Sequence, residues 1–304
     1  YITQNYQPHN IAPKIIEFDP LTGQSQVFGA TGQFGTGAFL HRLAFAPDGS
    51  KLTAHWGVLP GGTMNWGPQG GFGSTGLTGA QGYTGASSLT YDTFGNLYTN
   101  GQDATIRKFP NGAGPPQIVA SAAWGHPVSG TFGGTGLAPT PDGSVYYASA
   151  TSPSTLMRIG PGGDVDVLGE LPFAGFPIGL HIAGDGTLIM SKMGGDAPSA
   201  VYRVDPGNLG AAEFLGNLGA STASSALSLD GTTLYYFAVL SSSVRAFDLS
   251  TGQHTLVAHV PNLRGGPGSS AAYTGAGMAI YVPKPSTGLM AVALGLMFVL
   301  FSRR

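Results

Sequence analysis

Short apolar runs recur along the chain, each broken by a tight polar turn and followed by a second run rich in Tyr, Leu and Val. They span Leu43–Leu52, Leu89–Tyr98, Leu137–Tyr146, Leu180–Ile189, Ala226–Tyr235 and Ala271–Ile280. Runs this short around a turn glycine predict β-hairpins, because the glycine supplies the positive φ that a tight hairpin turn needs. The turn glycines fall at positions 49, 95, 143, 186, 231 and 277, a spacing of 43 to 48 residues. Further strand pairs are predicted after these hairpins, as in Thr155–Leu168, Val201–Gly207 and Val244–Gly252. Four strands per ~45 residues is the period of a propeller blade. The Asp-Gly pairs are accordingly read as turn chemistry and not as catalytic carboxylates.

The N-terminal segment Ile15–Phe28 matches the third and fourth strands of a blade, with no first pair before it. The hairpin around Gly277 has the first pair and nothing after it. Joining them gives a composite sixth blade, which closes the ring and removes the open sheet edges that otherwise aggregate. The expectation is therefore an all-β chain: an N-terminal extension over 1–10, a six-bladed β-propeller over 11–282, and a tail over 283–304 with a short hydrophobic helix.

The Pro-Asp-Gly turns at Pro47–Gly49 and Pro141–Gly143, with the Asp19–Gly23 turn, carry a resemblance. The chain resembles the six-bladed propeller group that includes NHL-type, strictosidine-synthase-like and gluconolactonase-like proteins, over most of residues 11 to 282. That resemblance implies architecture and little chemistry, since propellers host lactonases, lyases, oxidoreductases and binding modules alike. The carboxylate and asparagine set that holds calcium in the metal-dependent lactonases of the group is not recognisable here.

Composition narrows the classes. A chain of 304 residues with 42% hydrophobic content can bury a large core. Charged residues are only 9%, and 50 residues are Gly, which disfavours a helical protein, whose surfaces need many Lys, Glu and Arg. The 13 basic and 15 acidic residues leave a formal charge of -2, with no basic run to track phosphates, so nucleic acid is not an expected partner. The absence of Cys removes disulfides, thiolate metal sites and thiol nucleophiles together. A start at Tyr1 without Met fits either a removed leader or a fragment.

The tail suggests a destination. From Gly288 to Phe301 the chain is apolar, in a run shorter than the ~20 residues of an ordinary spanning helix, and it ends in Arg303 and Arg304. It reads as a short inserting helix with the arginine pair on the cytoplasmic side. The layout is similar to the PEP-CTERM sorting tail of Gram-negative bacteria. Pro283, Lys284 and Pro285, followed by Ser286 and Thr287, stand where that family shows Pro-Glu-Pro, with Lys284 replacing the usual Glu. The resemblance implies export, a membrane-held precursor, processing by an exosortase-type enzyme, and release to the cell surface or extracellular matrix.

Candidate site residues follow from the repeat. Residues entering the first strand and leaving the second share the face opposite the Asp-Gly turns, where propeller ligand sites usually sit. Seven positions before each turn glycine stand Arg42, Ser88, Gly136, Gly179, Ser224 and Ser270, and eight before stand His41, Ser87, Thr135, Ile178, Ala223 and Ser269. Only the first hairpin places a large polar pair, His41 and Arg42, where an imidazole can act as a base and a guanidinium can fork onto a carboxylate. The ends of the second strands add His55, Trp56, Asn100, Asp103, Lys192 and Asp196, equipment for stacking on and hydrogen-bonding a sugar. His181 reads as a core or channel-lining residue, and Trp66 as blade packing. His9, His126, His254 and His259 show no metal spacing, and neither a metal nor a cofactor is expected. From Gly67 to Gly85 glycine recurs every third residue, which reads as a Gly-rich loop replacing the outer strands of the first blade, with a lid as the sharper alternative. The reading is a binding module for an extracellular glycan or envelope component. The alternatives are a lactonase- or lyase-like enzyme with His41 as base, and a structural scaffold of an extracellular layer.

Overall fold

The computed structural model of the chain describes residues 2–4, 14–19, 22–30, 40–56, 61–130, 136–151, 153–173, 175–193, 199–219, 222–238, 241–259 and 278–280. They are almost entirely strands and turns. Strands β1 (Ile2–Gln4), β2 (Lys14–Phe18) and β3 (Ser25–Ala30) come first. Then β4 (Leu40–Phe45), β5 (Leu52–Trp56), β6 (Gly62–Gly67) and β7 (Gly70–Thr75) form an antiparallel meander. Three more four-stranded meanders follow this one: β8 (Ser88–Tyr91), β9 (Leu97–Asn100), β10 (Thr105–Phe109) and β11 (Gln117–Ser121); β12 (Gly136–Pro139), β13 (Val145–Ala148), β14 (Thr155–Ile159) and β15 (Val165–Glu170); β16 (Phe176–Ile182), β17 (Leu188–Met193), β18 (Ser199–Asp205) and β19 (Asn208–Gly219). A last one comprises β20 (Thr222–Leu227), β21 (Thr233–Ala238), β22 (Ser243–Asp248) and β23 (His254–His259).

Burial explains why these segments stack as sheets about an axis. The second strands are buried along their length, as in β9, whose four residues are all buried, because each sheet is covered on both faces by its neighbours. The fourth strands, such as β15 and β23, are largely solvated and form the periphery. Apolar clusters fill the space between successive sheets. Tyr98 and Ile106 meet Leu137 and Tyr147; Ala138 and Leu156 meet Leu180 and Met190; Ile189 and Val201 meet Leu234 and Tyr236. The series returns on itself, since Phe237 and Val244 of the last sheet pack on Ile2 and Ile16. The fold is a β-propeller arrangement.

The turns are those the repeat predicts. Gly49, Gly95, Gly143, Gly186 and Gly231 all have φ between 69° and 85°. The aspartates beside them accept backbone N–H groups, as Asp142 does from Ser144 at 2.9 Å and Asp230 from Thr232 at 3.1 Å. The fifth of these turns is followed by the end of the described chain except for Met278, Ala279 and Ile280, so Gly277 lies outside the described residues.

Two expectations are corrected. The N-terminal segment is not an extension before the sheets: β1 pairs antiparallel with β2, Ile2 opposite Ile16, and Ile2 also bridges Met278. Short, polar-flanked Ile2–Gln4 carries no hairpin signature of its own, so only its pairing reveals it as a strand. The Gly-every-third segment is not a loop replacing strands either. Its first part forms the end of β6 and all of β7, and only beyond Thr75 does it leave the sheet, through a short turn over Gly79–Gln81 capped by Thr78. The glycines are there for a close approach. The Trp66 indole lies over Gly29 and Gly73, whose added Cβ atoms would sit 2.8 and 2.5 Å from the ring. The Trp66 Nε1 donates to the Ala30 carbonyl at 3.1 Å. This lets β3 run parallel beside β7, Gly29 opposite Gly71, and joins the first three strands to the next four in one seven-stranded sheet.

Candidate functional site: the axial cavity

The first strands of the sheets, β4, β8, β12, β16 and β20, stand side by side around the axis with Met278–Ile280. They enclose a cavity of about 490 Å³, within the range of small-molecule sites. The ring of positions seven residues before each turn glycine is on its wall: Arg42, Ser88, Gly136, Gly179 and Ser224 all line it. Ser270 lies outside the described residues. In three of the first strands the pairing with the second strand slips at this level, between His41 and Leu43, Pro177 and Gly179, and Thr222 and Ser225. Each slip inserts an extra residue that bends the strand and re-aims its side chain.

Arg42 is the extra residue of the first slip, and its backbone shows it. Its φ is 43°, a left-handed value uncommon for a residue with a side chain. Its Nε donates to the Ser87 carbonyl at 2.6 Å, which ties the guanidinium across from β4 to the start of β8. Burial lowers its pKa to about 10, so it stays cationic at neutral pH. Among the residues lining the cavity none is Asp or Glu, and among the described residues Arg42 forms no ion pair. Ser88 and Ser224 are 6% and 3% exposed, and neither hydroxyl has a protein partner.

A second polar group faces Arg42's level from β16 and β20. The His181 Nε2 lies 3.0 Å from the Ser225 Oγ, which is 2.7 Å from the Ser191 Oγ on β17. Burial lowers the His181 pKa to about 4, which keeps the ring neutral at pH 7. Gly179 makes room for the contact: a Cβ there would collide with the Ser225 Oγ and come within 2.7 Å of the Ser191 Oγ.

The remaining sequence-derived candidates are scattered, and none of those described lines the cavity. His41 lies in β4 with its backbone opposite His55. His55 is fully buried, its Nδ1 2.6 Å from the Tyr83 hydroxyl, so it forms no sugar-stacking shelf. The backbone of Trp56 ends β5, opposite Leu40. Asn100 is buried as well, with its Nδ2 donating to the Gly101 and Thr105 carbonyls. A short second strand whose four residues are all enclosed has no free end at which Asn100 could meet a ligand. Asp103 pairs with Arg107 at 2.6 Å and accepts from Thr84 and Thr105; despite partial burial, these bonds lower its pKa to about 2. Lys192 holds its Nζ over the stacked rings of Phe173 and Tyr202, 5.9 and 5.7 Å from their centroids. Asp196, Pro283, Lys284 and Pro285 lie outside the described residues. Trp66 packs between strands, whereas Trp124 is exposed beside His126. His254 is bonded to the Tyr236 hydroxyl at 3.0 Å. Sequence reasoning missed Ser225 and Ser191; the available signal was the Ser224-Ser225 pair at the end of the same ring. Among the described residues no group of three or more His, Asp or Glu converges as metal donors do.

The fold and its axial cavity define a β-propeller with a polar channel. No family model matches the chain, and no curated protein matches it by sequence. Solved structures do. A chain of the nidogen/laminin complex superposes with a TM-score of 0.66 at 15% identity, covering 86% of this chain and 94% of that one. A TolB-type protein from Agrobacterium tumefaciens gives 0.58 at 14% identity, over 82% of this chain and 89% of that one. A gluconolactonase from Xanthomonas campestris gives 0.55 at 15% identity, over 85% and 88%. All three are β-propeller likenesses of fold.

Proposed function

We propose that this chain is an exported, surface-sorted six-bladed propeller that binds a small polar ligand in its axial cavity, as one end of an extracellular glycan or as an envelope component. The observation that carries the reading is the ring of Arg42, Ser88 and Ser224, polar groups on separate first strands directed at one cavity. A rigid scaffold presenting few polar groups from several elements is the arrangement that fixes a ligand's orientation. Six blades are supported by the bridge from Ile2 to Met278, which makes β1, β2 and β3 the outer strands of a composite blade. In that composite the N-terminus supplies three strands, one more than its sequence pattern suggests. Export, a transient membrane anchor and an exosortase-type processing partner rest on the sequence layout of residues 283–304. Among the described residues no helix is long and apolar enough to cross a membrane, and the tail is not among them.

A second reading, hydrolysis of a lactone or ester, is favoured by the Ser225–His181 contact together with the gluconolactonase-like fold. It ranks second because a histidine held near pKa 4, with no carboxylate bonded to it among the described residues, is a weak base. The test is a thermal-melt screen of the full chain, in detergent, against oligosaccharides, lactones and Ca²⁺. A ligand at a hundred times its dissociation constant stabilises by about 2.7 kcal/mol. Binding lost in Arg42→Gln and in Ser224→Ala supports the cavity as the site; product formation from a lactone, lost in Ser225→Ala, moves the assignment to the enzyme reading.

A further inference from the structure

The chemistry of the ring narrows the ligand, on the assumption that the axial cavity is the binding site. A cation taken out of water is ordinarily paired, because an uncompensated buried charge is expensive. Arg42 breaks that pattern: it lines the cavity, its one hydrogen bond among the described residues is from Nε to the neutral Ser87 carbonyl, and no acidic residue lines the wall. It is held there in a left-handed backbone conformation, which persists only where the surrounding structure enforces it. With Nε committed, the two terminal nitrogens remain as a planar fork. Ser88 and Ser224 add hydroxyls that are more than nine-tenths buried and have no protein partner, an arrangement native interiors avoid unless something else completes it. Between them Gly136 and Gly179 leave the wall open, while Leu89, Leu137 and Ile178 give it apolar patches.

We infer that the cavity is an anion site for a monosaccharide-sized carboxylate, a sugar acid of the uronate or aldonate class, with the carboxylate forked by Arg42 and the ring hydroxyls met by Ser88 and Ser224. A carboxylate matches the guanidinium fork in shape and carries one charge, which Arg42 alone balances. A phosphate dianion would leave a second charge uncompensated, since His181 is neutral and no other Lys or Arg lines the wall. The apolar patches suit the C–H face of a pyranose.

The test is calorimetric titration of the full chain in detergent with D-glucuronate, D-galacturonate, their neutral counterparts D-glucose and D-galactose, and inorganic phosphate. The expected result is binding of a uronate at least tenfold tighter than of its neutral counterpart. That preference should disappear in Arg42→Gln, and uronate affinity should fall severalfold in Ser88→Ala and Ser224→Ala, which remove only a hydroxyl and keep the fold. Neutral sugars binding as well as uronates, with losses in the serine variants, would overturn the anion inference while leaving the cavity as the site. Phosphate binding tighter than both uronates would overturn the carboxylate class. Uronate binding unchanged in all three variants, or no binding of any probe, would overturn the inference and the cavity reading together.

Discussion

Trp66 holds the join between β3 and β7, and its removal should loosen the ring where the N-terminal strands meet the rest. The side chain is 1% exposed, contacts Gly29 and Gly73 through its ring face, and donates to the Ala30 carbonyl. Truncating a buried tryptophan to alanine costs about 3–5 kcal/mol in transfer and cavity terms. The lost hydrogen bond is part of that figure, and leaving a carbonyl unpaired places the value toward the upper end. Gly73→Ala acts from the other side: its methyl would lie 2.5 to 2.9 Å from three indole atoms, and overpacking of this kind costs about 1–3 kcal/mol. Gly73 does not have a positive φ, so the penalty is steric and not conformational. Replacing the indole by the smaller ring in Trp66→Phe frees the space that the methyl needs. The double variant should therefore be more stable than the sum of the two single effects by about 1 kcal/mol or more. Guanidinium denaturation followed by far-ultraviolet circular dichroism measures all four corners of this cycle. Additivity within about 0.5 kcal/mol, or a Trp66→Ala loss below about 1 kcal/mol, would refute the packing argument.

Three other outcomes are expected. His181 has its pKa lowered to about 4 by burial, so the folded state favours the neutral ring; the contribution is complete above pH 6.5 and is lost as pH falls toward 4. Its size is at most about 3 kcal/mol, and the drop in melting temperature between pH 7 and pH 4.5 should be smaller in His181→Asn than in the parent chain. Asp103, lowered to about 2, behaves with the same sign at lower pH: its support of Arg107 is present above about pH 4 and is lost as pH falls through 2. Because its side chain is 40% exposed, Asp103→Asn should cost about 1 kcal/mol or less at pH 7, measured by denaturation. Gly179→Ala should destabilise by about 1–3 kcal/mol and separate Ser225 from His181, seen as a His181 pKa moved from about 4 in a histidine proton titration.

Most of the architecture was legible because its signals are local. Asp-Gly turns such as Asp142-Gly143 need a particular backbone and recur at a fixed spacing, so the hairpins and their order around the axis could be read directly. Counting seven back from each turn also placed Arg42, Ser88, Gly136, Gly179 and Ser224 on one wall, because first strands share a register with their turns. The outer strands of the first meander were not legible. Their alternation is erased by glycines whose missing side chains are replaced in space by Trp66, a residue from the neighbouring strand. Strand β1 was missed for a similar reason, as three residues carry no periodicity and are specified by their partner. At the ends of the second strands the count indicates position along the sheet but not enclosure. Asn100 and His55 looked available there, and the loops folded over them are not encoded in the repeat. The Ser225–His181 contact joins two sheets, and only the assembled ring brings those residues together.

The most direct measurement of the central claim is a crystal structure of the full chain soaked with D-glucuronate. The account predicts density for the sugar acid in the axial cavity, its carboxylate within hydrogen-bond reach of the Arg42 guanidinium and its hydroxyls near Ser88 and Ser224. Density at the periphery instead, over the Phe173 and Tyr202 rings or beside exposed Trp124, with the cavity holding only water, would contradict it.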